Sequence, residues 1–332
     1  MLMTLEQLED RLSAPSASDV EFARGLDGDV LVLGAAGKMG PSLSRRVRRA
    51  MDETGNKHEV LTVSRSPLDI AGCRHIHSDL LADDALDLLP DAPNVLFLAA
   101  RKFGSTGAPE QTWSTNVLLP ALVARRYRGS RIVAFSTGNV YPLTPVDSAG
   151  PDEQMPVDPV GEYAWSALGR ERMFTYGSVQ FGTPVTLLRL NYANELRYGV
   201  LVDIATKVRD GVPVDVSMGY VNIVWQGYAN SVCFQSLGAA STPPLVLNLT
   251  GPEKLSVRAL AIEFGKRLGR DAIITGQEQA TSLLNNASEC HRRFGLPEVG
   301  VDELMGWVAD WVGAGGELLG KPTKFQVRDG KF

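Results

Sequence analysis

The sequence predicts an α/β protein: a doubly wound parallel sheet, preceded by short helices and followed by a smaller C-terminal lobe. Three observations carry this. Seven short runs dense in Val, Leu and Ile recur at 29–34, 59–65, 74–80, 94–100, 130–137, 184–191 and 244–251. The runs are continuous rather than alternating, as in strands buried on both faces, and the segments between them suit right-handed helical crossovers. Finally, a glycine turn, LVLGAAGKMGPSL, follows the first run directly.

The elements read in order as follows. Thr4 and Gln7 form a capping box for a first helix, and a second runs from about Ser18 to Arg24, so residues 1–27 are a helical extension. After the first strand, Gly34, Gly37 and Gly40 let the backbone turn sharply and approach a pyrophosphate, whose charge meets the free amides of the helix that follows. Arg45, Arg46, Arg48 and Arg49 on that helix read as a solvated face. At the end of the second strand an acid would bind the ribose of NAD and a cation the extra phosphate of NADP. Ser64, Arg65 and Ser66 stand there, with Lys38 as a second nearby cation, so NADP is preferred over NAD. Asp79 is placed to bind the adenine amino group. Cys73, His75 and His77 share one face of the third strand, but no fourth ligand accompanies them and no metal site is expected.

The dinucleotide-binding part extends over 28–190, with a return strand within 228–251. Residues 191–227 and 252–332 form the substrate lobe and tail. Ser256 caps a helix over 256–269, and a helix over 302–312 packs Trp307 and Trp311 into the core. The tail, GKPTKFQVRDGKF, lacks periodicity and reads as a surface strap or a mobile end.

Composition excludes several partner classes. A formal net charge of −5 offers no field for nucleic acid or an anionic membrane. No apolar run approaches the ~20 residues that span a bilayer. Three scattered cysteines give no disulfide framework, and the acidic N-terminus is no signal peptide. A soluble cytoplasmic protein is expected.

Taken with FSTGNVY at 135–141, Asp79-Leu80, LAA at 98–100, Asn116 and Tyr163 opening a helix, the glycine turn resembles the extended short-chain dehydrogenase/reductases, the NAD-dependent epimerase/dehydratase family, over nearly all of the chain after residue 28. The resemblance implies a Rossmann-type fold and a cofactor site built from Gly34, Gly37, Lys38, Met39, Gly40, Ser64, Arg65, Asp79, Leu80, Ala99 and Ala100. It implies that Thr137 holds a substrate hydroxyl, that Tyr163 moves the proton, and that Asn116 lines the cleft. Asp158 as cap and Pro159 at the first helical position would put Tyr163 one turn inside its helix.

One family residue is missing. The lysine four residues after the tyrosine, which lowers its pKa and grips the ribose, is Ala167 here. Arg170 lies two turns, ~10 Å, along the helix, too far for direct contact by axial rise. Lys102, in the turn AARKFG, is the expected substitute. Gly138-Asn139 replaces the acid pair of the family's dehydratases, which leaves oxidation or epimerisation at a carbinol of a sugar or sugar derivative. Asn139, Asn191, Asn194, Arg197, Trp225 and Gln226 are the expected substrate contacts. Homodimers would form through helix 112–128, where Leu118, Leu119, Leu122 and Val123 are apolar, together with the Tyr163 helix. The competing reading, favoured by Ala167, is an NADP-binding sensor or partner-binding protein without turnover; a purely structural subunit is a weaker third.

Overall fold

Residues 3–105 and 107–331 are described by the computed structural model. One seven-stranded sheet contains β1 (Val30–Leu33), β2 (Val60–Ser64), β3 (Cys73–His77), β4 (Asn94–Phe97), β5 (Arg131–Thr137), β6 (Val185–Leu190) and β7 (Leu245–Leu249). Their order is β7-β6-β5-β4-β1-β2-β3, and every pairing is parallel. All seven expected runs are strands. Alternate side chains go to opposite faces: Val30 and Val32 join one core cluster, Leu31 and Leu33 the other, which is why the sequence runs are continuous. The edge strand β3 is only part-buried and ends at His77, so Asp79 and Leu80 lie in the loop beyond it.

Both N-terminal helices, α1 (Leu5–Ser13) and α2 (Ala17–Arg24), begin in capping boxes, at Thr4 with Gln7 and at Ser16 with Asp19. They are welded to the domain through the basic cluster on α3 (Gly40–Thr54). Arg46 is buried, 2% exposed, and donates to Asp19, itself fully buried, at 2.6–2.7 Å. Arg45 pairs with Glu9 and Arg49 with Asp10, while Arg48 donates to the carbonyls of Asn56 and His58. The expected solvated face is therefore a seam between helices, buried at Arg46 and Arg48 and part-exposed at Arg45 and Arg49. Acids of α1 and α2 supply the counter-charges of Arg45, Arg46 and Arg49, which a reading of α3 alone cannot reveal.

The helix expected over 112–128 is broken into α4 (Pro109–Trp113), a π turn (Ser114–Leu118) and α5 (Leu119–Arg126). Pro120 has no N–H to return to the carbonyl of Asn116, and the ladder widens so that Leu119 donates to Ser114 instead. The helix carrying Tyr163, α6 (Gly161–Phe181), starts later than Asp158 and Pro159 predict. Gly161 holds φ +83°, a conformation no helix continues through, so Val160 is the uncapped N-cap and Tyr163 falls in the first turn.

The C-terminal lobe adds α7 (Val200–Asp210), α8 (Gln226–Gln235), α9 (Val257–Leu268), α10 (Ser288–Phe294) and α11 (Val301–Gly313), with Ser256 capping α9 as expected. Trp311 is buried, and Trp307 meets the Trp225 ring edge-on at 5.6 Å. The tail is a strap. Thr323 binds the Asp203 carboxylate through its N–H and hydroxyl, Phe325 is buried, Arg328 donates to Thr281, and Gly330 packs on Gly161 so closely that a Cβ there would sit 2.5 Å from the Gly330 carbonyl. Among the described residues no helix is long and apolar enough to cross a membrane.

Burial alone would raise the Asp19 carboxyl, but Arg46 and hydrogen bonds from Ser16, Ser231 and Gln235 hold it below its ordinary value. Asp19→Ala leaves a buried guanidinium unpaired and is expected to cost roughly 3–5 kcal/mol in urea unfolding at neutral pH. Because the folded pKa is depressed, the wild-type contribution is full above the unfolded carboxylate range and fades as pH falls through the folded value. The stability gap between wild type and variant should close in acid.

Candidate active site

The reversal of strand order between β1 and β4 opens a crevice at the carboxyl ends of the strands. It holds two adjoining cavities that share Gly37, Leu98 and Ala100. The first, about 280 Å³, is lined by Gly34, Ser64, Arg65, Asp79 and Leu80 among others. The second, about 330 Å³, brings together Lys38, Met39, Gly40, Lys102, Thr137, Asn139, Tyr163 and Asn191.

Two glycines are dictated by this geometry. Gly34 has φ +86° and a Cβ there would lie 2.6 Å from the amide of Ala99, which backs the turn without lining either cavity. At Gly40 a Cβ would meet the Ala35 carbonyl at 2.1 Å. No side chain caps the N-terminus of α3; the Gly40 amide donates to the Gly37 carbonyl and Pro41 has no N–H, so the helix end offers a phosphate its positive dipole rather than a row of free amides. The turn, the open helix end and the paired cavities fit a dinucleotide.

Arg65 is exposed and 4.0 Å from Asp79, while Ser64 donates to the carbonyl of Ser66. Lys38 does not join Arg65. It points into the second cavity, donating to the Ala193 carbonyl at 2.9 Å with its ammonium 3.6 Å above the Tyr198 ring. Burial pushes it down to about 7; Glu195 opposes that shift and Lys102 adds to it.

Thr137 accepts from the Asn139 amide at 3.2 Å, donates to the Asn139 side chain at 3.0 Å, and lines the cavity with Tyr163. Burial pushes the Tyr163 phenol up, while the charge of Arg170 and the nearby Thr137 hydroxyl pull it back. Lys102 stands 5.8 Å from the Tyr163 ring centre, its ammonium donating to Thr323 of the strap at 3.3 Å, and burial lowers it to about 8. Ala167 is fully buried against Val140 and Tyr141.

Arg170 reaches the same cavity as Tyr163 although axial rise separates the two, because helical side chains lean toward the N-terminus and the arginine stem is long. Asn116, in turn, does not line the cleft. It is fully buried, donating to the Arg101 carbonyl and Ser166 hydroxyl and accepting from the Arg101 amide and the Arg170 guanidinium, which fills its capacity.

Of the expected substrate contacts, Asn139 and Asn191 line the cleft, and the Asn191 Nδ2 is buried without a partner. The other four are engaged elsewhere. Asn194 accepts from the Leu201 amide at the start of α7; Arg197 pairs with Glu9 and Glu195; Trp225 stacks in the core; Gln226 donates to Ser42. Sequence reasoning missed Tyr192, Tyr198, Phe103, Ser136 and Lys321, which line the cavity. Tyr192 carries φ +48°, uncommon for a bulky residue and typical of site backbone, but no sequence pattern signals it. Among the described residues no His, Cys, Asp and Glu cluster could hold a metal; His75 hydrogen-bonds Thr62.

Fold and site describe an α/β protein whose crevice fits a dinucleotide. Residues 30–193 match the model of the NAD dependent epimerase/dehydratase family. No curated protein matches the sequence. Solved structures resemble it in fold at low identity. MoeE5 in complex with UDP-glucose and NAD shares 19% identity with a TM-score of 0.73, covering 87% of this chain and 99% of that one. UDP-glucuronic acid 4-epimerase from Bacillus cereus, in complex with NAD, shares 17% (TM-score 0.71; 86% and 96%). UDP-glucose 4-epimerase from Thermus thermophilus, also with NAD, shares 19% (TM-score 0.69; 85% and 98%).

The two lowered lysines have a consequence for stability. An unfolded chain holds their protons up to the ordinary lysine range, whereas the folded one releases them from about 7 and about 8 upward. Stability should therefore rise with pH above about 7. Urea midpoints across this range, compared with Lys38→Met and Lys102→Met, should show the slope flattened in each variant.

Proposed function

We propose that the chain is an NAD(P)-dependent oxidoreductase or epimerase that acts on a carbinol of a sugar or sugar derivative. The observation that carries this is that Thr137 and Tyr163 line one cavity that continues into the glycine turn. Gly34, Gly37 and the open end of α3 would hold the pyrophosphate, with Asp79 at the adenine end. A nicotinamide bound beyond them supplies a hydride acceptor or donor. Thr137 fixes the substrate oxygen beside Tyr163, and the phenol exchanges the carbinol proton. Raised by burial, it is protonated at neutral pH and suited to give a proton to a forming alkoxide.

NADP is the preferred cofactor in this reading. Ser64 and Ser66 leave no carboxylate at the end of β2 to bind a ribose hydroxyl or repel a phosphate, and the exposed Arg65 supplies the charge. NAD, present in the complexes of structural relatives, remains the alternative. A homodimer through α4, α5 and α6 is supported by an exposed apolar strip of Trp113, Leu118, Leu122, Trp165, Tyr176 and Val179. Leu119 and Val123, expected on that strip, are buried in the chain's own core. Three free cysteines suit a cytoplasmic location.

NMR of a sugar and sugar-nucleotide panel with NADP or NAD detects both net oxidation and inversion. Conversion is expected, and Tyr163→Phe should lower it at least ~100-fold; a panel left unchanged by the wild type would defeat the reading. Arg65→Ala should weaken NADPH binding by about tenfold or more while leaving NADH nearly unchanged, measured by cofactor fluorescence.

A further inference from the structure

We propose that Arg170 takes over from the lysine absent at position 167: it is a positioning residue that holds a fixed cation behind the Tyr163 phenol and tunes its proton affinity. The inference rests on the reading of Tyr163 as the proton-transfer group.

Three observations support it. The guanidinium and Tyr163 line one cavity, and Ala167, one turn from Tyr163, has no side chain long enough to compete for that space. Arg170 is held rigidly: one terminal nitrogen donates to the Phe135 carbonyl and the other to the Asn116 side chain, each at 2.7 Å. Asn116 is itself fixed by the π turn and by three further hydrogen bonds. Finally, the buried Nε of Arg170 has no partner among the described residues, which leaves one donor uncommitted at the site.

The other groups around the phenol fit a different division of labour. Lys102 stands 5.8 Å from the Tyr163 ring centre and interacts electrostatically with Asp203, Lys324 and Lys38. Lys38 sits on Tyr198, Asp203 faces Tyr192 and Tyr198, and Lys321 lines the tail side of the cavity. Glu171, next to Arg170, is neutralised by a two-pronged pair with Arg189 at 2.7–2.9 Å. Arg170 lines the cavity with Tyr163, and its charge favours the phenolate. An arginine also keeps its charge in a buried site where a lysine would shed it, as the lowered Lys38 and Lys102 illustrate.

The test needs no substrate. Phenolate absorbance is titrated in the full chain and in the same protein carrying Tyr163→Phe, and the difference isolates one of eight tyrosines. Arg170→Gln should raise the Tyr163 midpoint by about one unit or more, Arg170→Lys should raise it as well because a buried lysine sheds its proton before the phenol titrates, and Lys102→Met should leave it in place. Circular dichroism establishes that each variant is folded. An unchanged midpoint in Arg170→Gln, a larger shift in Lys102→Met, or no Tyr163 signal in wild type below its alkaline unfolding limit would each overturn the proposal. If Arg170→Gln does not fold, the other two variants still decide: an unchanged midpoint in Arg170→Lys, whose buried ammonium is neutral in the alkaline range, would mean that the charge at 170 does not set the phenol. Failure of this titration leaves the panel assay standing, and an inactive panel leaves the titration standing.

Discussion

Asn116 has every hydrogen-bonding position occupied, and the cleft is organised around that saturation. Its carboxamide ties the loop after β4 to α6 through Arg101, Ser166 and Arg170. It sits where it does because Pro120 cannot complete an α-helical ladder and the chain widens into a π turn. A backbone defect thus sets a buried amide, which sets a guanidinium. The Asn116 carboxamide is fully satisfied, while the buried Nε atoms of Arg101 and Arg170 in the same network have no partner among the described residues.

The cleft is unusually cationic. Lys38, Lys102, Arg170 and Lys321 all line it, and the nearest carboxylates are engaged, Glu195 with Arg197 and Asp203 with Thr323 of the strap. Burying ammonium groups without anions is costly, and the two lysines respond by giving up proton affinity. Bringing an anionic ligand between them would reverse that penalty. The apo cleft is in this sense prepaid for negative charge.

The sheet was almost entirely legible: seven apolar runs gave seven strands, because burial on both faces leaves a compositional mark that needs no partner to interpret. Gly34 and Gly40 were legible for a similar reason, since steric demands at a turn are local. What failed were inferences that depended on where long side chains go. Axial rise hides that Arg170 reaches the Tyr163 cavity, and position in the glycine turn hides that the Lys38 ammonium turns to Ala193 and Tyr198. Arg197, Trp225 and Gln226 have suitable chemistry but find structural partners distant in sequence, and Asn194 accepts from the Leu201 amide seven residues on. Polar residue type alone does not distinguish a substrate ligand from a satisfied core amide.

The Asp19–Arg46 seam sets the scale on which this chain is one object. The stretch shared with the family begins at residue 30, after both N-terminal helices and their acids. Cutting there would follow an evolutionary boundary and sever a physical one, since Arg46 would keep its buried place and lose its counter-ion. Ancestry and cooperativity therefore draw different borders on this chain. The two helices are best regarded as part of the smallest piece able to melt as a single unit.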